Sequence, residues 1–268
     1  MFCMTDLTPL DKAHALMLAD EENDQARLGF YERLAESELF LMLAEDLNAE
    51  DDAVSPEIFE LEGAKYVLVF DREERLAGFA GQVTPYIAVS GRTIAGMLAG
   101  QGIGLGVNLD VAPSSILLAD AAVDWLHQTL GNAPDEVEEK IAELSPPKGL
   151  PESLIKALDT KLATAMGLAT CAYLVGVRFA KGRQSHMLGF VDALPQAEGA
   201  LASAAAEALT FSGIEAGAMD VAFFLSTDPV TARMERVGLR FDLPQLQNSV
   251  TQTRPAPGSD PDNPPKLK

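Results

Sequence analysis

The chain is short of several things that usually betray a function. Its 268 residues hold 2 cysteines and 3 histidines, and 20 Lys plus Arg stand against 40 Asp plus Glu. Cys3 and Cys171 lie too far apart and too few to frame a disulfide-stapled fold, and a reducing compartment is expected. Cys171 sits in an apolar run and reads as core packing. His14, His127 and His186 fall in separate stretches without a neighbouring Cys, His or paired carboxylate at metal-ligand spacing. There is no C-x-x-C, H-E-x-x-H, G-x-S-x-G or alternating Asp/Asn calcium loop. No cofactor and no metal are expected.

Basic charge is scarce enough to restrict partners. A formal net charge of −20 repels phosphate backbones and anionic lipid, so neither nucleic acid nor a membrane surface is an expected partner. The acid is uneven, with 17 acidic and 3 basic side chains in residues 1–62. That end is either a solvated face that keeps the protein soluble and monomeric or a steering surface for a basic partner.

Long apolar runs are missing too. Residues 93–109 carry no charge, but five glycines, Gln101 and Asn108 interrupt them, so a buried helix followed by a buried strand is expected in place of a membrane span. The first residues have neither a basic n-region nor an apolar h-region and do not read as a secretory signal; a cytoplasmic address follows.

What is present alternates strand and helix. Thr8-Pro9-Leu10-Asp11 and Asn23 open two helices, 39–43 is a short strand, and 58–70 is a hairpin turning at Glu62-Gly63. Asp71 is placed to cap a helix to about 80, 83–89 is a strand, and Ser90 caps a helix stopped by Gly100. Gly102, Gly104 and Gly106 follow a helix and fit neither G-x-G-x-x-G nor a P-loop. They alternate with Ile103, Leu105 and Val107, which describes a strand with one bare face for close packing. Residues 117–130 read as a helix carrying Trp125 in the core. Three prolines within 146–151 mark a boundary, and 135–143 reads as an exposed helix inside the connection. Beyond it come a helix over 152–166, a hairpin of 171–179 and 186–191 turning at Lys181-Gly182, a helix over 196–211, a strand over 220–226, a helix over 229–237 and a short strand over 239–241.

The expected architecture is α+β, two mixed α/β domains in tandem with a disordered C-terminal tail. The first domain covers residues 1–133, a linker 134–150, the second domain 151–243 and the tail 244–268. Six prolines lie in that tail, and its apolar content is too low to offset ordering entropy.

One polar cluster stands out against the acidic background. Arg178, Lys181, Arg183 and His186 gather around the second hairpin, and Arg233 and Arg236 of a later helix are candidates to join them. The plain reading is a solvated hairpin tip; the functional one is a contact site for an acidic partner or for the acidic first half of the same chain. Asp220, opening an apolar strand, reads as a strand-end residue. A catalytic reading would require Asp220, Ser226, Arg178 and His186 to face one pocket.

Several runs resemble a known family. Lys65-Tyr66-Val67-Leu68-Val69-Phe70-Asp71, residues 86–91 and residues 102–108 resemble the N-terminal domain of SseB-like bacterial proteins, named for enhanced serine sensitivity. Ala172-Tyr173-Leu174-Val175-Gly176-Val177, Leu188-Gly189-Phe190 and Met219-Asp220-Val221-Ala222-Phe223 resemble that family's C-terminal domain. The resemblance spans about residues 20 to 242. It implies a cytosolic two-domain protein without an accepted activity or catalytic residue set, tied loosely by its name to serine and sulfur metabolism. The expected function is a non-enzymatic interaction or regulatory module whose partner is another protein. The alternative is an enzyme or binding protein for a small amino-acid-like molecule.

Overall fold

The computed structural model of the chain describes residues 7–20, 22–45, 54–131, 139–214 and 219–245. Helix α1 (Pro9–Ala19) opens on a reciprocal cap: the Thr8 hydroxyl accepts from the Asp11 N–H, and the Asp11 carboxylate accepts from the Thr8 N–H. Two otherwise orphaned helix-end donors are thereby satisfied. Asn23 caps α2 (Asp24–Glu36) by accepting from the Ala26 N–H.

A first mixed sheet follows, from β1 (Glu38–Met42), β2 (Ile58–Leu61), β3 (Ala64–Phe70), β4 (Tyr86–Ser90), β5 (Ile103–Val107) and β6 (Ile116–Leu118), with α3 (Glu73–Ala80) and α4 (Gly91–Leu98) between them and α5 (Asp120–Leu130) after β6. The strand order is β4-β1-β3-β5-β6, with β2 paired to β3, and β3–β5 is the parallel pair. The β2–β3 turn holds both Glu62 and Gly63 at positive φ, the geometry that matches strand twist in a two-residue hairpin. Strand alternation splits the apolar residues. Leu39, Leu41, Val67, Val69, Leu105 and Val107 face α2, α4 and α5, whereas Met42, Leu68 and Phe70 meet Leu76 of α3.

The bare strand face is real. A Cβ on Gly104 would lie 2.5 Å from the Leu118 carbonyl oxygen and 2.7 Å from the Tyr66 ring. Four other local expectations differ from the structure. Residues 116–118 form an edge strand before α5 starts, and Trp125 is 37% exposed at the α5 surface, edge-on to Tyr31. Asp71 does not cap α3; its carboxylate takes bonds from Thr8 and Arg75 instead. The strand expected at 83–89 begins only at Tyr86, and Val83 is fully exposed.

The second sheet is built from β7 (Ile141–Ser145), β8 (Cys171–Phe179), β9 (Gln184–Val191), β10 (Met219–Phe224) and β11 (Leu239–Asp242), with α6 (Glu152–Thr164), α7 (Glu198–Phe211) and α8 (Pro229–Val237). Its order is β10-β9-β8-β11, β7 pairs with β8, and β9–β10 is parallel. Leu174, Leu188 and Phe190 pack under α6 and α7, and Val175, Val177 and Met187 pack under Met234 of α8. Of the connection over 134–150, residues 134–138 lie outside the described residues. Residues 141–145 are a strand of the second sheet and not part of a helix. The expectation for the tail falls outside the described residues from 246 onward.

The two halves are joined by side chains. Phe211 of α7 is buried in the apolar core of the first sheet. Beside it, the buried Lys161 ammonium of α6 sits 2.8 Å from Glu36, 3.2 Å from Glu32 and 3.2 Å from Glu207, while Arg92 of α4 holds Glu207 through two bonds of 2.7 and 2.9 Å.

Candidate interaction site

The β8–β9 hairpin is set by Gly182, whose φ of 92° turns the chain, and by the Phe179 N–H donating to the Arg183 carbonyl at 2.8 Å. On β8, alternation puts Gly176 and Arg178 on the same face as Ala172 and Leu174, opposite Val175 and Val177. The rim of that face, with β7 and the Pro146–Lys148 turn beside it, encloses an open groove of about 620 Å³. Arg178, Arg183 and His186 line it together with Lys148, Ser145 and Gln184. Gly176 forms its floor by necessity, since a Cβ there would come within 2.6 Å of the Ser145 hydroxyl.

Each guanidinium in the groove already meets a carboxylate of its own half. Arg178 pairs with Glu143 of β7, Nε to Oε2 at 3.2 Å. Arg183 donates to Glu139 at 2.7 and 2.9 Å and to Asp220 at 3.0 and 3.1 Å, and lies 4.1 Å over the Phe179 ring. The Asp220 and Glu139 carboxylates hold the Arg183 guanidinium firmly ionised. His186 is half-buried, with Nε2 3.0 Å from the Lys148 carbonyl.

The remaining members of the expected patch lie elsewhere. Lys181 stands exposed at the hairpin tip, and Arg233 and Arg236 are exposed on α8, which covers the other face of the sheet. Arg233 reaches back only to the Ala142 carbonyl at 3.4 Å. Among the described residues, the ion pairs between the acidic first half and the second run through Lys161 and Arg92, not through the hairpin. Nor do the four polar residues of the catalytic reading converge. Asp220 is tied to Arg183 at one end of β10, while Ser226 lies beyond its other end, donating its N–H to Asp192. Among the described residues no group of three His, Cys, Asp or Glu side chains is placed to hold a metal ion, and no helix is long and apolar enough to cross a membrane.

The strongest polar network is one that sequence reasoning missed. The Asp11 carboxylate is wholly buried, bonded by Arg75 at 3.1 Å and by the Ser114 hydroxyl at 2.6 Å. Arg75 also holds Asp71 at 2.7 Å, and buried Asn108 links Ser114 to the Asp71 N–H at 2.8 and 3.0 Å. Burial would push the Asp11 carboxyl up, but bonds from Arg75, Ser114 and the Thr8 N–H outweigh it and bring its pKa down to about 2. None of these residues lines the groove beside the β8–β9 hairpin, and through Thr8 and Asp11 the network pins α1 to the sheet. Only its capping half, Thr8 with Asp11, carried a local sequence signal.

These features define an α+β protein of two mixed-sheet units, with an open, polar, internally charge-paired groove as its candidate site. Residues 12–125 match the family model described as the SseB protein N-terminal domain. That match lies within the first unit and supports its assignment to the SseB family; it ends at residue 125, before the second unit begins. No curated protein and no solved structure matches the chain.

Proposed function

We propose that this is a non-catalytic interaction or regulatory protein of the cytoplasm, and that the groove beside the β8–β9 hairpin takes an acidic segment of another protein. On this reading the second unit is the family's C-terminal domain and carries the contact surface. The observation behind it is the gathering of Arg178, Arg183, Lys148 and His186 at one open groove in a chain of net charge −20.

The intrachain pairs support this reading. Arg178 and Glu143 are 48% and 60% exposed, and Arg183 is 41% exposed. An ion pair as exposed as Arg178–Glu143 is worth about 0 to 1 kcal/mol, so a partner's carboxylate can replace Glu143 at small cost, whereas Glu139, only 14% exposed, gives up Arg183 less readily. The resident glutamates then act as competitors that occupy the arginines until an acidic segment arrives.

A photo-crosslinking residue at position 184, on the groove wall, tests this in the parent organism. The expected capture is a protein joined through an acidic stretch, lost when Arg178→Glu and Arg183→Glu are introduced together. Capture through neutral or basic sequence, or capture that persists in the folded double variant, would overturn the proposal.

A further inference from the structure

Every sheet edge exposes backbone N–H and C=O groups that can recruit another strand, and folded proteins blunt their edges with charge, proline, bulges or shortness. Most edges here are blunted in that way. Strand β6 has three residues, β2 carries Glu60, and β11 carries Arg240 and Asp242. Strand β7 combines Glu143 and a register shift with prolines at 146 and 147.

Strand β10 carries one charge, at its second residue, and no proline or bulge within its six-residue run. After Asp220, which Arg183 neutralises, it reads Val221, Ala222, Phe223 and Phe224, all partly exposed, and continues into Leu225 at 59% exposure. Among the described residues no strand pairs with its outer side. The Phe224 carbonyl accepts from the Asp192 N–H at 2.9 Å, so Phe224, Ala222 and Asp220 turn their backbone groups towards β9. The alternation of a parallel ladder then turns those of Met219, Val221 and Phe223 outward.

Strand β4 is uncharged, but net charge separates the two. Residues 1–131 contain 23 acidic and 7 basic side chains, net −16, whereas residues 139–245 contain 12 and 10, net −2. Two copies meeting at β4 would bring two strongly acidic halves together; two copies meeting at β10 would not. The outward residues are moreover self-complementary. With β10 antiparallel to its own copy and Val221 on the two-fold axis, Val221 faces Val221 and Met219 faces Phe223. Every outward N–H and C=O then finds a partner.

We infer that the protein forms a two-fold dimer by antiparallel pairing of β10 with a second copy of itself, joining the two second-unit sheets into one. The inference is independent of the groove reading, because no groove-lining residue contributes to the pairing.

Sedimentation of the full chain over a concentration series provides the first test, with a monomer–dimer equilibrium expected. Val221→Lys would place two ammonium groups across the axis and abolish the dimer while circular dichroism stays that of the parent. Because Val221 also packs beside the α6–α7 core, a second test avoids reliance on that variant. In a Cys3→Ser background, Val221→Cys should form an intermolecular disulfide under mild oxidation. Directly paired residues of this kind stand about 5.5 Å apart, within disulfide range. Ala222→Cys, which faces Asp220 of the copy in this register, should not cross-link. A monomer at all concentrations, a dimer surviving in folded Val221→Lys, or equal cross-linking at 221 and 222 would each overturn the inference.

Discussion

Replacing Asp11 by asparagine isolates the energy stored in the buried pin of the first unit. The Asp11 carboxyl has a pKa of about 2 in the folded protein against an ordinary 3.8. At 1.36 kcal/mol per unit, the ionised group contributes about 2 kcal/mol to stability at neutral pH. Because the folded value is depressed, that contribution is complete above about pH 5 and is lost as pH falls through 3.8 towards 2. The variant lacks it at every pH and also leaves the nearly buried Arg75 with Asp71 as its remaining carboxylate partner. The total loss at pH 7 should then be about 3 kcal/mol. Urea unfolding followed by circular dichroism from pH 7 down to pH 3 reads the difference directly. The gap between parent and variant should be widest at pH 7 and narrow by about 1 kcal/mol by pH 3. A gap independent of pH, or one below about 0.5 kcal/mol at pH 7, would refute the assignment of the ion pair as a stabilising pin.

Two further substitutions probe the packing. Gly104→Val should lower stability by about 1 to 3 kcal/mol, because its side chain must displace the Leu118 carbonyl and the Tyr66 ring; an unchanged melting temperature would refute close packing on that face. Lys161→Met should cost about 3 kcal/mol at neutral pH by removing the ammonium that Glu32, Glu36 and Glu207 share between the halves, although Glu207 keeps Arg92 and Glu36 keeps Arg33. Burial already holds the Glu32 carboxyl above its usual range despite Lys161, so without the ammonium it should protonate more readily, and the cost should shrink as pH falls. Melting of Lys161→Met at neutral and mildly acidic pH checks the sign; a cost that grows on acidification would contradict it.

What could be read from the chain was what is local. The caps at Thr8, Asn23 and Ser90 and the turns at Gly63 and Gly182 depend on residues within four positions of one another, and each stands where its side-chain chemistry placed it. Strand β8 was legible at both ends because nine largely apolar residues lie between Thr170 and Ala180. Strand β6 was not, because Ile116, Leu117 and Leu118 run straight into the apolar period of α5. Strand β7 hid in a charged stretch, where Glu139, Lys140 and Glu143 look like one face of a helix.

Missing β7 had a consequence for the site. The basic cluster was visible because a hairpin brings Arg178, Arg183 and His186 within nine positions, but the carboxylates that neutralise it arrive from 35, 37 and 44 residues away. The Asp11–Arg75 pair was out of reach for the same reason, its partners being 64 positions apart. Long-range polar pairing leaves no periodic trace, since it obeys tertiary geometry and not the repeat of a helix or strand.

The groove reading meets its most direct test in a binding titration of the full chain with a fluorescent ten-residue glutamate-rich peptide at low and high salt. Three proteins are compared: the parent, Arg178→Ala with Arg183→Ala, and Glu139→Gln with Glu143→Gln. The account predicts that the parent binds and that binding weakens with salt. Loss of the arginines should weaken it further, by up to about fivefold for each charge, and loss of the competing glutamates should tighten it. No binding by the parent, or affinities that are the same in all three proteins, would contradict it.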